Sequence, residues 1–388
     1  MTISPAPSTA HGNKVPILAG LGAIALVVVV VAAASLLAHS PFSSTGSMAT
    51  ARSEHTATLL SDGRVLVAGG RGPVAGGQGP LLASAELYDP KTGTFSATGS
   101  MIHPAAGRTA TLLSDGRVLI IGGNGLDLAE IYDPKTGTFS ATGSMSAHRV
   151  GYSATLLPNG RVLVAGGSVD SSALASAELY DPATGKFDQT GSMTTTRVLH
   201  TATLLSDGRV LVAGGQDRSG GGLASAELYD PTTGKFSPTG SMTTPRQNHT
   251  ATLLSDRRVL IAGGAAFDAG GRPLGEGPLA SAELYDPVTG SFSPTGSMAF
   301  NAEFYTATLL SDGRVLFAGG DYGMASLASA ELYDPTHGRF NSIGSMTIGR
   351  EGHTATLLSN GRVLIAGGQA DGNGESGDPF ASAELYQP

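Results

Sequence analysis

His200-Thr201-Ala202-Thr203-Leu204-Leu205, then Ser206-Asp207-Gly208-Arg209, then Val210-Leu211-Val212-Ala213-Gly214-Gly215: two short apolar-rich runs flank a four-residue polar turn. An Asp-Gly pair between two such runs is a strong hairpin signal, because glycine accepts the positive φ that a tight turn demands. Ser225-Ala226-Glu227-Leu228-Tyr229 follows as a third run. The turn Asp230-Pro231-Thr232-Thr233-Gly234 then leads to a fourth, Phe236 to Met242. Proline fixes φ early in that turn and glycine supplies positive φ at its end. The unit therefore reads as four short antiparallel strands, A to D.

Variants of this unit recur along the chain. Gly-Ser-Met stands at Gly46, Gly99, Gly143, Gly191, Gly240, Gly296 and Gly344, at spacings of 44 to 56 residues. Self-similarity at this period marks a repeat architecture. The sequence predicts an all-β fold of seven such units. Blade five carries Arg257 where the A–B turn has glycine elsewhere, so a strained or altered hairpin is expected there.

The composition agrees. The 388 residues include 56 glycines, few aromatic or charged residues, and neither Trp nor Cys. Abundant glycine in a chain with regular apolar runs points to tight turns and short strands. The net charge is −8, and no basic run interleaved with aromatics suggests nucleic acid as a partner. Without cysteine there are no disulfides, thiolate metal sites or cysteine nucleophiles.

The chain stops at Tyr386-Gln387-Pro388, just after strand C of the seventh unit, while Phe42 to Met48 is an orphan copy of strand D before the first strand A. The simplest closure places residues 42–48 beside Ala383–Tyr386. It would leave no edge to expose backbone donors and acceptors.

The double glycine after an apolar strand, the Tyr-Asp-Pro turn and the aromatic that opens strand D resemble the kelch family, over Phe42 to Pro388. The resemblance implies a seven-bladed kelch β-propeller, residues 39–388. The strand-D tryptophan usual in kelch repeats is phenylalanine here (Phe95, Phe139, Phe187, Phe236, Phe292, Phe340), which still packs between blades. In kelch propellers the D–A and B–C loops share one face and the A–B and C–D turns the other. The turns here are nearly identical between copies. The B–C loops differ: Arg71–Leu82, Asn124–Leu126, Ser168–Leu174, Gln216–Leu223, Ala265–Leu279, Asp321–Leu327 and Gln369–Phe380. Varied loops on a rigid scaffold are where binding usually resides.

Arg52, Arg149, Arg197, Arg246 and Arg350 occupy one register on the D–A segments, replaced by Ala105 and Ala302 in blades two and six. At the head of strand A stand His55, His200, His249 and His353, with Arg108, Tyr152 and Tyr305 in the other blades. These residues are candidates for a ligand-binding ring that would hold carboxylates, sulfates or sugar hydroxyls. The competing reading pairs each arginine with the repeated glutamate of its own blade (Glu86, Glu130, Glu178, Glu227, Glu283, Glu331, Glu384), as residues repeated in register usually serve the scaffold.

Galactose oxidase carries similar propeller repeats, but its copper-radical site needs a Tyr–Cys thioether that a chain without cysteine cannot form. Sialic acid mutarotases use a basic pocket in a kelch propeller, and no motif here identifies one. Asp371-Gly372-Asn373-Gly374-Glu375 begins like a calcium loop, yet Ser376 stands at the required glycine position. No metal and no cofactor are expected. Binding of a glycan, peptide or protein through the loop face is the expected function. A carbohydrate-active enzyme, of epimerase or hydrolase type on the central ring, is the alternative.

Ile17 to Ala38 is apolar apart from Ser35, and twenty-two residues of helix span roughly 33 Å, enough for a hydrocarbon core. Residues 15–38 are thus expected to be a transmembrane signal-anchor. Lys14 keeps residues 1–14 cytoplasmic and the propeller extracytoplasmic, at the cell membrane. Cleavage near Ala34, releasing a secreted propeller, is the alternative. If the anchor is retained, the short link to Phe42 would turn the C–D turn face toward the membrane.

Overall fold

A computed structural model describes residues 40–74, 79–275, 277–323, 325–372 and 375–388, with the side chains of 371–372 and 375–376 left aside. The expected cytoplasmic tail (1–14) and transmembrane segment (15–38) lie outside these residues. Among the described residues no helix is long and apolar enough to cross a membrane.

Ser40–Pro388 is an all-β propeller of seven four-stranded antiparallel sheets. Blade 4 shows the plan: Thr201–Leu204, Val210–Ala213, Ser225–Asp230 and Lys235–Ser241, hydrogen-bonded in that order. The innermost strands form a closed ring. Thr56–Leu59 packs beside Thr109–Leu112 on one side and Thr354–Leu357 on the other, and each strand A likewise meets its two counterparts.

Burial follows the residue pattern. Strand B is apolar throughout (Val-Leu-Val-Ala in blades 1, 3 and 4) because neighbouring blades cover both its faces, and it is wholly buried. Strand A alternates threonine with Ala and Leu, and is half-buried along the channel. Strand D, outermost, exposes three residues of four and keeps only its phenylalanine half-buried. That phenylalanine stacks on the strand-C tyrosine of its own blade, with ring centroids 4.8–4.9 Å apart in six blades.

The recurrent Gly-Ser-Met has a packing cause. Gly46 N donates to Gly93 O of the next blade at 2.9 Å, and a Cβ on Gly46 would lie 2.3 Å from that oxygen. The same approach recurs at Gly99, Gly143, Gly191, Gly240 and Gly296, so only glycine fits. The methionine two residues on is buried in all seven copies. The threonine just before that glycine hydrogen-bonds the strand-C tyrosine of the next blade, as Thr45 does with Tyr88 at 2.9 Å.

The last blade is closed by the first strand. Phe42–Ser44 pairs antiparallel with Ala383–Tyr386 in the register Phe42↔Tyr386, Ser43↔Leu385, Ser44↔Glu384. Backbone bonds from Thr45 to Ala383 and from Met48 to Ala381 continue the pairing. Phe42 is buried and stacks on Tyr386 at 5.3 Å, reproducing the contact of the other six blades.

The fifth A–B hairpin keeps the common shape. Arg257 sits at φ +73° and donates to Leu254 O at 3.0 Å, as Gly63 does to Leu60 O in blade 1. The residue is strained and the hairpin is not altered.

Phe42→Ala should destabilise the propeller by about 3 kcal/mol, the usual loss for a buried phenylalanine. Chemical denaturation checks this; an unchanged midpoint would show that the closing strand contributes nothing.

Candidate functional site

Short backbone bridges bring the D–A and B–C loops together on one face. Ser53 pairs with Arg71, Val150 with Ser168, Val198 with Gln216, Gln247 with Ala265, Glu303 with Asp321 and Glu351 with Gln369. Blade 2 has the shortest loop and substitutes a side-chain bond, Ala106 N to Asn124 Oδ1 at 2.8 Å.

The five registered arginines lie beneath this face. Arg52, Arg149, Arg197, Arg246 and Arg350 are 0–1% exposed. Arg197 is typical. Its Nη1 donates to Gly214 O (3.0 Å) and Ser225 O (2.8 Å), and its Nη2 to Ser225 Oγ (3.0 Å) and Glu227 Oε1 (3.1 Å). The equivalent arginine–glutamate distances are 2.7–3.1 Å in all five blades. Each glutamate also holds the chain that enters its blade: Glu227 accepts from Thr194 N (2.7 Å) and Thr195 N (3.2 Å). Burial lowers the pKa of Arg52, Arg197, Arg246 and Arg350, and the partner glutamate opposes that shift.

The ring of ligand-binding guanidinium groups that the sequence allows is therefore not what these residues build. They clamp the D–A segment to strands B and C and present no Nη donor to solvent.

The histidines stitch blades together. His55, His200, His249 and His353 each place Nε2 within 2.9–3.1 Å of a Thr or Ser hydroxyl on strand A of the preceding blade: Thr354, Ser153, Thr201 and Thr306 respectively. Burial, reinforced by the nearby arginine, lowers each pKa to about 3, so the rings are neutral. Tyr152 and Tyr305 serve the same junction. Their hydroxyls donate to Ile121 O and Ala262 O of the preceding blade, and burial raises both pKa values.

Blades 2 and 6 lost the registered arginine and solved the loss differently. In blade 2 Arg108 reaches toward the place that Ala105 leaves empty, with Nη1 3.6 Å from Glu130 and Nη2 bonded to His103 O at 2.8 Å. In blade 6 no described Arg or Lys pairs with the glutamate. Glu331 is 2% exposed, accepts from Ala299 N, and has its pKa raised by burial.

All twelve candidate residues are thus bound into the scaffold. Sequence reasoning missed where the unrepeated charge and apolar surface fall. Among the described residues, the D–A and B–C loops carry nine carboxylates outside the buried ladder (Glu54, Asp127, Asp170, Asp217, Asp268, Glu303, Asp321, Glu351, Asp378) against three basic residues (Arg71, Arg218, Arg272). The turn face is balanced, with Asp–Arg pairs such as Asp62–Arg64 and Asp207–Arg209. Seven of the eight large exposed apolar side chains also lie on the loop face: Val74, Ile102, Val150, Leu274, Phe304, Tyr322 and Ile348, leaving Val288 on the turn face. The one available signal was departure from the repeat, and in blade 6 it pointed to Tyr305, which is buried, rather than to Phe304 or Tyr322.

A polar hollow of about 180 Å³ opens between the loops of blades 1 and 7, lined by Ser53, Glu54, Arg71, Gln369 and Asp378 among others. No three of the described His, Asp or Glu residues converge as a metal site. Asn373 and Gly374 of the calcium-like stretch fall outside the described residues.

Residues 149–194 and 198–243, blades 3 and 4, match the Kelch motif family. These two blades are kelch repeats, set in a seven-bladed β-propeller. The other five blades follow the same four-stranded plan, with the registered arginine missing from blades 2 and 6. Among solved structures it is similar to a fungal copper-bound alcohol oxidase of the AA5 family, at 18% identity and a TM-score of 0.70, over 90% of this chain and 76% of that one. At that identity the likeness is one of fold. No curated protein sequence matches the kelch chain.

The histidines give the fold a pH signature. Their folded pKa lies below the unfolded value near 6.5, so the stability they contribute is full above pH 6.5 and is lost as pH falls toward 3. The melting temperature should hold constant above pH 7 and drop below pH 6.5. A melting temperature flat from pH 7 to pH 5 would mean that the four rings are already free to take up protons in the fold.

Proposed function

We propose that this kelch propeller is an interaction module, exported and held at the cell membrane by the segment Ile17–Ala38, that binds a cationic partner through its D–A and B–C loop face. Kelch propellers are typical binding modules, and the surface chemistry supports that use here. One observation carries the reading: excess negative charge and exposed apolar side chains gather on the same face, while the opposite face is balanced in charge and nearly free of exposed apolar groups. Apolar residues rimmed by charge mark association surfaces, and an acidic field draws in and orients basic partners. The export reading rests on the length and polarity of residues 15–38 and on Lys14.

A catalytic ring has less support. The arginines, histidines and tyrosines that would form it are committed to contacts within or between blades.

Fluorescence anisotropy of labelled polylysine with the full chain tests the reading. Binding should weaken several-fold between about 50 and about 300 mM salt, as screening shortens the reach of the field. It should fall when Glu54, Asp217 and Glu351 are neutralised together, and persist when Asp62 and Asp207 on the turn face are neutralised. Preferential binding of polyglutamate, or loss through the turn-face changes alone, would overturn the assignment.

A further inference from the structure

Blade 6 departs most from the repeat. Seven Tyr–Phe pairs account for fourteen of the chain's aromatic residues; of the other eight, Phe300, Phe304, Tyr305, Phe317 and Tyr322 belong to this blade. Phe300, Tyr305 and Phe317 join its core, where the registered arginine is absent. Phe304 and Tyr322 do not join it: they are 50% and 47% exposed on the loop face.

Phe304 stands at a demanding position. The residue before the head of strand A has positive φ in every blade: Glu54, Gly107, Gly151, Leu199, Asn248, Phe304 and Gly352, with Phe304 at 57°. Three blades use glycine, which takes that conformation without strain, whereas an aromatic residue there is an outlier. A strained backbone and a half-exposed ring coincide at one residue: the positive φ belongs to the repeat, whereas the exposed aromatic ring does not.

A carboxylate precedes each ring in the chain. Glu303 and Asp321 are bridged backbone to backbone (3.0 and 2.9 Å), one residue before Phe304 and Tyr322 respectively. Asn248 of blade 5 donates to Glu303 Oε2 at 3.1 Å. Glu303 makes no ion pair among the described residues, and the D–A and B–C segments of blade 6 contain no Lys or Arg. Burial and then the charge of Asp321 raise the pKa of Glu303, so an incoming cation would relieve both.

We propose, resting on the loop-face reading above, that the mouth of blade 6 is its anchor point: Phe304 and Tyr322 pack against an arginine or lysine side chain of the partner while Glu303 and Asp321 supply the countercharge. Aromatic faces attract cations, and adjacent carboxylates strengthen and direct the contact.

The test titrates the full chain and its variants with fluorescein-labelled pentaarginine at low salt. Wild type should bind, and Phe304→Gly and Glu303→Gln should each weaken binding about tenfold. Asp170→Asn, which removes one loop-face charge in blade 3, should weaken it less than threefold. Phe304→Gly should also melt at or above the wild-type temperature, since glycine suits that backbone, which separates a lost contact from a lost fold. Wild-type affinity in both blade 6 variants, with Asp170→Asn weaker, would overturn this site and leave the loop face standing. No binding to wild type at all would overturn both.

Discussion

The buried arginine–glutamate pair, present in five of the seven blades, is the constraint from which most of the propeller's architecture follows. Each D–A segment must leave the rim of one blade and enter the centre of the next, and chain crossing between sheets has no ladder of its own. The guanidinium of Arg197 bonds the end of strand B, the start of strand C and the strand-C carboxylate, while that carboxylate holds the incoming backbone at Thr194 and Thr195. Two buried charges are tolerated because each satisfies the other and the loose backbone groups around it; removing either partner alone typically costs about 3–5 kcal/mol. The same clamp fixes the height at which the loops emerge, so it positions the proposed binding face without taking part in it.

Recognition falls to what the repeat leaves out. Residues that recur at every station, the Gly-Ser-Met glycine and the Tyr–Phe stack, answer packing problems posed seven times. A single partner needs something posed once. The loops provide it, and the acidic, partly apolar character of their face is not shared by the turns. Blade 6 departs furthest from the repeat: without the registered arginine, Glu331 accepts from the Ala299 amide, and the blade's core holds additional aromatics.

Most of the fold was legible in the sequence, because each strand is written seven times and each turn six or seven times. The orphan segment at Phe42 and the truncated last unit told how the ring closes, and Phe42 against Tyr386 restores the missing contact. The Arg257 hairpin misled only in shape, since the arginine adopts the turn's positive φ. The candidate site was less legible. A run of arginines and histidines near a channel looks like a binding ring in one dimension. Only three dimensions show that Arg197 turns inward to Glu227 and that His249 faces Thr201 of the blade before it. Phe304 carried no signal, because its strain and exposure depend on the chain's path at the channel mouth.

A double-mutant cycle on Arg197 and Glu227, read by equilibrium unfolding of the full chain, tests the clamp most directly. If the pair belongs to the scaffold, Arg197→Ala and Glu227→Ala each lose about 3–5 kcal/mol, and the double variant loses much less than their sum. Wild-type stability in Arg197→Ala would contradict it, and would return the arginines to the role of a free binding ring.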